Sequence, residues 1–330
     1  MKAWKILFLI FLIVASVLII KNEPPYHTDR GFIFGTYYNI CYKSKENLQH
    51  EIDSTLKSVD NSLSPFNKRS VITAINENRD TIVDAQFSEV FALAQEISNA
   101  TDGAFDITVA PLVNAWGFGF KQGITVDSIT VDSLLQYVGY KSVELADNKV
   151  IKQHPQTMLD CSAIAKGYGC DRVARMLESY GVKDYMVEIG GEVVSKGKNN
   201  KSKQWSIGIS KPTDDKSGTI NELQEILHIS GKSVATSGNY RNYRYEDGRK
   251  LSHTIDPRTG YPVAHTLLSA TVIANDCATA DAYATAFMVI GIEKAIEICK
   301  QKEIDAYFIY STPEGGISTR ETDGMKMYHK

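Results

Sequence analysis

Asp281 and Thr285 stand four residues apart in a stretch, Ala280-Asp-Ala-Tyr-Ala-Thr285, whose apolar spacing predicts a helix. On a helix that spacing places both oxygen-bearing side chains on one face, about 5–6 Å apart at Cβ, where together they could hold a hard cation. Mg²⁺ takes oxygen ligands and commonly uses one or two protein groups, with phosphate and water completing its shell. Taken alone, the pair reads more simply as an acid near a helix start with a hydroxyl turned to the backbone.

Three further groups carry chemistry of their own. Asp160 precedes a predicted helix whose first turns hold Ser162, Ala163 and Lys166, so amides, a carbonyl and a cation could meet a pyrophosphate there. The glycine pattern of a P-loop is missing, and Lys166 in isolation is an ordinary solvated helix lysine. His253, close to Asp256, is of the type that takes a proton from a hydroxyl nucleophile, although a lone histidine is more often structural. Trp116, Phe118 and Phe120 alternate with glycines and could stack a flavin or an adenine, or simply pack beneath a loop.

The elements that must position these groups follow from periodicity. Aromatic and β-branched residues over 32–42 predict a first strand, interrupted at Gly35. Leu48, Ile52, Leu56, Val59 and Leu63 recur at three- and four-residue steps and predict a helix over 46–63; a second runs over 88–101 and stops at Asp102-Gly103. The clearest helix spans 162–180, with Ser162 placed to cap its start and Gly181 to end it. Strands are expected at 185–189, 205–210, 226–229 and 271–274, a surface loop at 211–221, and helices at 279–291 and 292–302. Strands and helices in mixed order without a βαβ rhythm argue for α+β.

Composition narrows the classes. With 43% hydrophobic and 23% charged residues, 330 residues can bury a large core. A formal net charge of −3 without basic runs excludes a nucleic-acid footprint. Five cysteines without a C-x-x-C pair indicate neither a disulfide framework nor a zinc site, and read as small buried hydrophobes. Lys2 and Lys5 precede an almost wholly apolar run over 6–20. Without a small-x-small cleavage site or a lipobox cysteine, residues 1–21 are expected to be a retained signal-anchor or transmembrane segment rather than a cleaved signal. The lysines favour a cytoplasmic N-terminus, a tether at 22–30, and a folded domain over 31–330 on the outer side.

In this order the clusters resemble the ApbE family of FAD:protein FMN transferases. The resemblance runs through Phe34-Gly35-Thr36, Ser64-Pro65-Phe66, the run from Gly103 to Gly119, Asp160 to Gly167, Gly190-Gly191-Glu192, Ser237 to Tyr240, His253 to Pro257 and Asp281 to Thr285. It implies an α+β fold of mixed sheets with packed helices. It also implies a cation, Mg²⁺ or Mn²⁺, held by Asp281, Thr285 and the Ala163 carbonyl. Flavin contacts would fall on Phe34, Phe66, Ala104, Phe105, Asp106, Asp160, Lys166 and Ile255, with His253 as the base. The family commonly has Met at the position of Phe34 and often Tyr near that of Phe66, departures that keep an apolar surface.

The activity so implied cleaves FAD at its pyrophosphate, attaches FMN to Thr or Ser of an acceptor flavoprotein, and releases AMP. Water in place of that hydroxyl would make the same site an FAD pyrophosphatase, and a site without turnover would make it a flavin-binding protein. The resemblance also implies acceptors in exported or membrane electron-transfer systems, carrying a segment like Asp-x-x-Thr/Ser-Gly-Ala-Thr/Ser. The expected place is a bacterial inner membrane, with the catalytic domain on its periplasmic side.

Overall fold

The stretch expected as one interrupted strand is a hairpin. Strands β1 (Tyr26–Ile33) and β2 (Thr36–Lys43) pair antiparallel with Ile33 opposite Thr36, so Phe34 and Gly35 alone make the turn. Their φ angles are 52° and 75°, as a two-residue turn of the I′ kind requires. Asn or Asp usually announces such a turn, and an aromatic residue at positive φ conceals it. Residues 26–30, expected in the tether, belong to β1 instead. Their polar character is absorbed within the sheet, where buried Asp29 accepts a 2.7 Å hydrogen bond from the Tyr42 hydroxyl.

The computed structural model describes residues 4, 8, 11, 23–121, 123, 124, 126–212, 222–239, 243–246 and 249–329. The expected membrane segment at 1–21 lies, but for three positions, outside the described residues, as does most of the expected loop at 211–221. No helix among the described residues is long and apolar enough to cross a membrane.

After the hairpin come helices α1 (Gln49–Leu63), α2 (Val71–Asn76), α3 (Ala85–Ala100), α4 (Ala110–Ala115) and α5 (Ser128–Leu135), then strands β3 (Val143–Ala146) and β4 (Lys149–Lys152). Helix α6 (Ala165–Ser179) leads to β5 (Tyr185–Ile189), β6 (Glu192–Lys196), β7 (Trp205–Ser210), β8 (Leu223–Ile229), β9 (Lys232–Gly238), β10 (Tyr243–Glu246), β11 (Arg249–Ser252) and β12 (Leu267–Ala274). Helices α7 (Cys277–Ile290) and α8 (Ile292–Lys302) and strands β13 (Asp305–Ser311) and β14 (Ile317–Glu321) complete the chain.

Eight strands form one sheet in the order β1-β2-β5-β6-β9-β12-β13-β14, every ladder antiparallel. Its central strands are apolar on both faces. Val272 and Phe308 point into the core shared with α3 and α7, while Ile273, Tyr307 and Ile309 meet the β7–β8 hairpin on the other side. Two-sided burial erases the polar alternation of a half-exposed strand. On the helical side, Cys170, Val173 and Leu177 of α6 pack with Ile52 and Leu56 of α1 over Ile40, Val187 and Ile189 of the sheet.

Helices α6 and α7 cross so closely that their contact admits no side chain at Gly167. A Cβ there would lie 2.3 Å from the Cys277 carbonyl oxygen and 2.9 Å from Ala278 Cα. The start of α7 is pinned from both sides: Asp276 accepts from the Thr279 amide, and Asp171 of α6 accepts from the amides of Cys277 and Ala278 at 2.8–3.0 Å. Gly167→Ala is therefore expected to destabilise the chain by about 1–3 kcal/mol by forcing the helices apart. Denaturant unfolding measures this; a change below about 0.5 kcal/mol would contradict the close crossing.

Candidate active site

One cavity of about 1080 Å³ is lined by all twelve residues singled out by sequence: Phe34, Phe66, Ala104, Phe105, Asp106, Asp160, Ala163, Lys166, His253, Ile255, Asp281 and Thr285. They reach it from the β1–β2 turn, the loop after α1, the turn after α3, the start of α6, the segment after β11, and α7. Pockets of about 300–1,000 Å³ suit ordinary small ligands, so this one has room for a dinucleotide.

At one wall the oxygens converge. Asp281, the single charged residue of an otherwise apolar and deeply buried α7, is 2% exposed. Its Oδ2 accepts a 3.0 Å hydrogen bond from the Gly167 amide. A regular helical turn would aim that amide at the Ala163 carbonyl, so its diversion to Asp281 leaves the carbonyl for another partner. Thr285 follows one turn later, its Oγ1 3.1 Å from Ser237 Oγ on β9. A carboxylate, a hydroxyl and a main-chain carbonyl form the hard-oxygen set that Mg²⁺ accepts. Among the described residues no cluster of three or more His, Cys, Asp or Glu could hold a metal.

Lys166 stands beside this set, its Nζ 3.1 Å from Glu192 Oε1 and 3.7 Å from Asp281 Oδ1. Burial disfavours its charge, but the carboxylates of Asp281 and Glu192 outweigh burial and raise its pKa. It is an ammonium in any working range of pH. Burial pushes the Glu192 carboxyl up, against the pull of the Lys166 ammonium. Ser162 does not cap α6; its amide donates to Asp160 Oδ1 at 2.8 Å, and the helix begins at Ala165 without a side-chain cap. Its first-turn amides find other partners, Ala165 at the Cys161 carbonyl and Gly167 at Asp281.

Apolar residues complete the lining. The Phe34 ring lies over the α6 backbone at Gly169, where an added Cβ would approach it to 2.7 Å. Phe66 is 67% exposed and meets Phe120 edge-on at 6.1 Å. Asp106 spends both oxygens inside the protein, Oδ1 on the amide and hydroxyl of Thr108 and Oδ2 on the amide of Tyr140, distant in sequence, all at 2.7 Å. Its carboxylate thus shapes the turn, and main chain at Ala104 and Phe105 is what it can offer a ligand. Trp116 is buried with Leu112, Val131 and Ile255, donating through Nε1 to the Gly260 carbonyl, so it packs rather than stacks; Phe118 does line the cavity.

His253 faces the same space, with the Phe118 ring edge-on at 6.4 Å. The neighbouring Thr254 hydroxyl donates to Asn239 Oδ1 at 2.6 Å, tying this segment to the end of β9. Asp256 turns elsewhere, its carboxylate accepting two bonds from the Arg258 guanidinium at 2.8 and 2.9 Å. In the motif at 237–240, Tyr240 lies outside the described residues. Residue types alone pass over Glu192 and Ser237, yet both line the cavity. The signal for Glu192 was an acid opening a buried strand directly after two glycines.

Fold and site together define an α+β protein with a large cavity lined by hard oxygens, an ammonium and aromatic rings. The model of the ApbE family matches residues 34–308. The FAD:protein FMN transferase of Haemophilus influenzae is 36% identical over 316 residues, covering 90% of this chain and 89% of its own. That of Escherichia coli is 35% identical over 312 residues, covering 90% and 85%. Among solved structures, the flavin transferase ApbE from Vibrio cholerae superposes with a TM-score of 0.83 at 34% identity, covering 92% of this chain and 99% of its own. The apbe protein of Thermotoga maritima gives 0.81 at 29%, covering 93% and 100%. The chain belongs to the ApbE family.

Proposed function

We propose that this chain is a Mg²⁺-dependent FAD:protein FMN transferase, anchored by residues 1–21 with its catalytic domain outside a bacterial inner membrane. The reading is supported by Asp281, Thr285, Ala163 and Lys166 lining one cavity together with Phe34 and Phe66, and by the Gly167 amide donating to Asp281 rather than along its own helix. A bound divalent cation supplies electrophilic stabilisation of phosphate charge, which phosphoryl transfer needs more than covalent chemistry. Mn²⁺ suits the same oxygens.

The chain's own groups do the rest. Asp281 Oδ1, Thr285 Oγ1 and the Ala163 carbonyl would hold the cation. Lys166 has three N–H donors; with one turned to Glu192, donors are left for a pyrophosphate oxygen. Phe34 and Phe66 give the isoalloxazine ring an apolar surface. His253 takes the proton from an acceptor Thr or Ser hydroxyl as its oxygen forms a bond to the FMN phosphorus. The bond from that phosphorus to the bridging oxygen breaks, and AMP departs with it.

Incubation of the purified protein with FAD, Mg²⁺ and an acceptor flavoprotein tests the proposal. The expected result is FMN attached to the acceptor by mass, with matching AMP. AMP without attachment would make the chain a pyrophosphatase, and neither product would make it a flavin-binding protein. Phe34→Ala is expected to weaken FAD binding about tenfold, since an aromatic stack is worth about 1–3 kcal/mol. Flavin fluorescence quenching measures this, and unchanged affinity would remove Phe34 from the site.

A further inference from the structure

Glu192 is the buried acid of the cavity for which the reaction above has no use. It opens β6 directly after the Gly190-Gly191 turn and is 2% exposed. Oε1 lies 3.1 Å from Lys166 Nζ, while Oε2 is buried without a hydrogen-bond partner among the described residues. The turn before it is held in place, since Gly190 packs where an added Cβ would come within 2.7 Å of Thr36 Cγ2. Glu192 therefore reaches Lys166 from a fixed point on the sheet.

Lys166 stands between two acids with unequal duties. Asp281 Oδ2 is occupied by the Gly167 amide, so Oδ1 is the oxygen left for a cation, and Lys166 Nζ already lies 3.7 Å from it. An ammonium that closed this gap would take up the lone pairs the metal needs. The closer contact to Glu192 holds it back.

We propose that Glu192 is a positioning residue that keeps the Lys166 ammonium off Asp281, leaving the aspartate to the metal and the lysine to phosphate. This rests on the assignment of Asp281 as a metal ligand. Without the Glu192 carboxylate, Asp281 is the acid nearest to Lys166, and a cation must then displace a salt bridge.

The test is a double-mutant cycle read by binding of Mn²⁺ alone, from the free-ion paramagnetic resonance signal, with thermal unfolding to show that each variant folds. Glu192→Gln is expected to weaken Mn²⁺ binding at least about tenfold. Lys166→Met is expected to change binding less than about threefold when Glu192 is present, and to recover most of the loss when Glu192→Gln is present. Simple loss of a nearby charge would make the two substitutions additive. Additivity, or unchanged binding in Glu192→Gln, would overturn the proposal. Glu192→Met serves as the second variant should Glu192→Gln not fold, with the same expectation. Asp281→Asn separates the two levels: if it abolishes Mn²⁺ binding while the cycle is additive, the positioning role alone fails. If it binds Mn²⁺ as tightly as the unaltered chain, the metal assignment fails and the positioning role with it.

Discussion

Asp281→Ala is expected to lower FMN transfer by at least about 1,000-fold. The side chain supplies the one carboxylate of the proposed cation site, and loss of metal stabilisation is worth several kcal/mol; about 4 kcal/mol corresponds to that factor. Alanine has a second consequence, because it orphans the Gly167 amide that Asp281 Oδ2 accepts, a cost of about 1–3 kcal/mol in stability. Asp281→Asn separates the effects. Its amide oxygen can still accept from Gly167, so its unfolding midpoint should lie closer to that of the unaltered chain, while its transfer rate should fall nearly as far as that of alanine. Labelling of an acceptor followed by mass reads both variants, and a loss of less than about tenfold in either would contradict the metal role.

His253→Ala is expected to lower transfer by about 10²–10⁴-fold, the usual range for removing a general base. The histidine is placed by the segment after β11, apart from α6 and α7, so binding of FAD and of Mn²⁺ should be nearly unchanged. The loss should therefore lie in kcat and leave flavin fluorescence titrations where they were. Transfer within about threefold of the unaltered chain would show that the acceptor hydroxyl loses its proton elsewhere. A matching fall in FAD affinity would show instead that His253 is part of the flavin wall.

Helices whose apolar residues repeat at three- and four-residue steps are plain in the sequence, and so are short strands bounded by glycine. The stretches 185–189, 205–210 and 292–302 need no adjustment, and α1 begins three residues later than its spacing suggests. What escapes the sequence is decided by partners far along the chain. Polar residues 26–30 become a strand because β2 offers them a full ladder and Tyr42 a bond for Asp29. Phe34 occupies a turn position whose usual occupants are Asn or Asp, at a backbone angle that marks a functional constraint.

Spacing alone offers the Asp281–Thr285 pair; the other site residues come from the resemblance, and all twelve line one cavity. The connections among them were not legible. No local pattern says that the Gly167 amide leaves Ala163 for Asp281 or that Asp106 reaches the Tyr140 amide. These depend on the α6–α7 crossing and on loop closure. Glu192 belongs to the same class, since its pairing with Lys166 joins a strand to a helix.

The most direct measurement is the position of manganese in a crystal grown with FAD and Mn²⁺, read from anomalous scattering at the manganese edge. The account predicts one peak at about 2.0–2.3 Å from Asp281 Oδ1, Thr285 Oγ1 and the Ala163 carbonyl oxygen, bridging to the FAD pyrophosphate. A peak away from Asp281, or FAD seated with its pyrophosphate against the Phe34 and Phe66 rings, would contradict it.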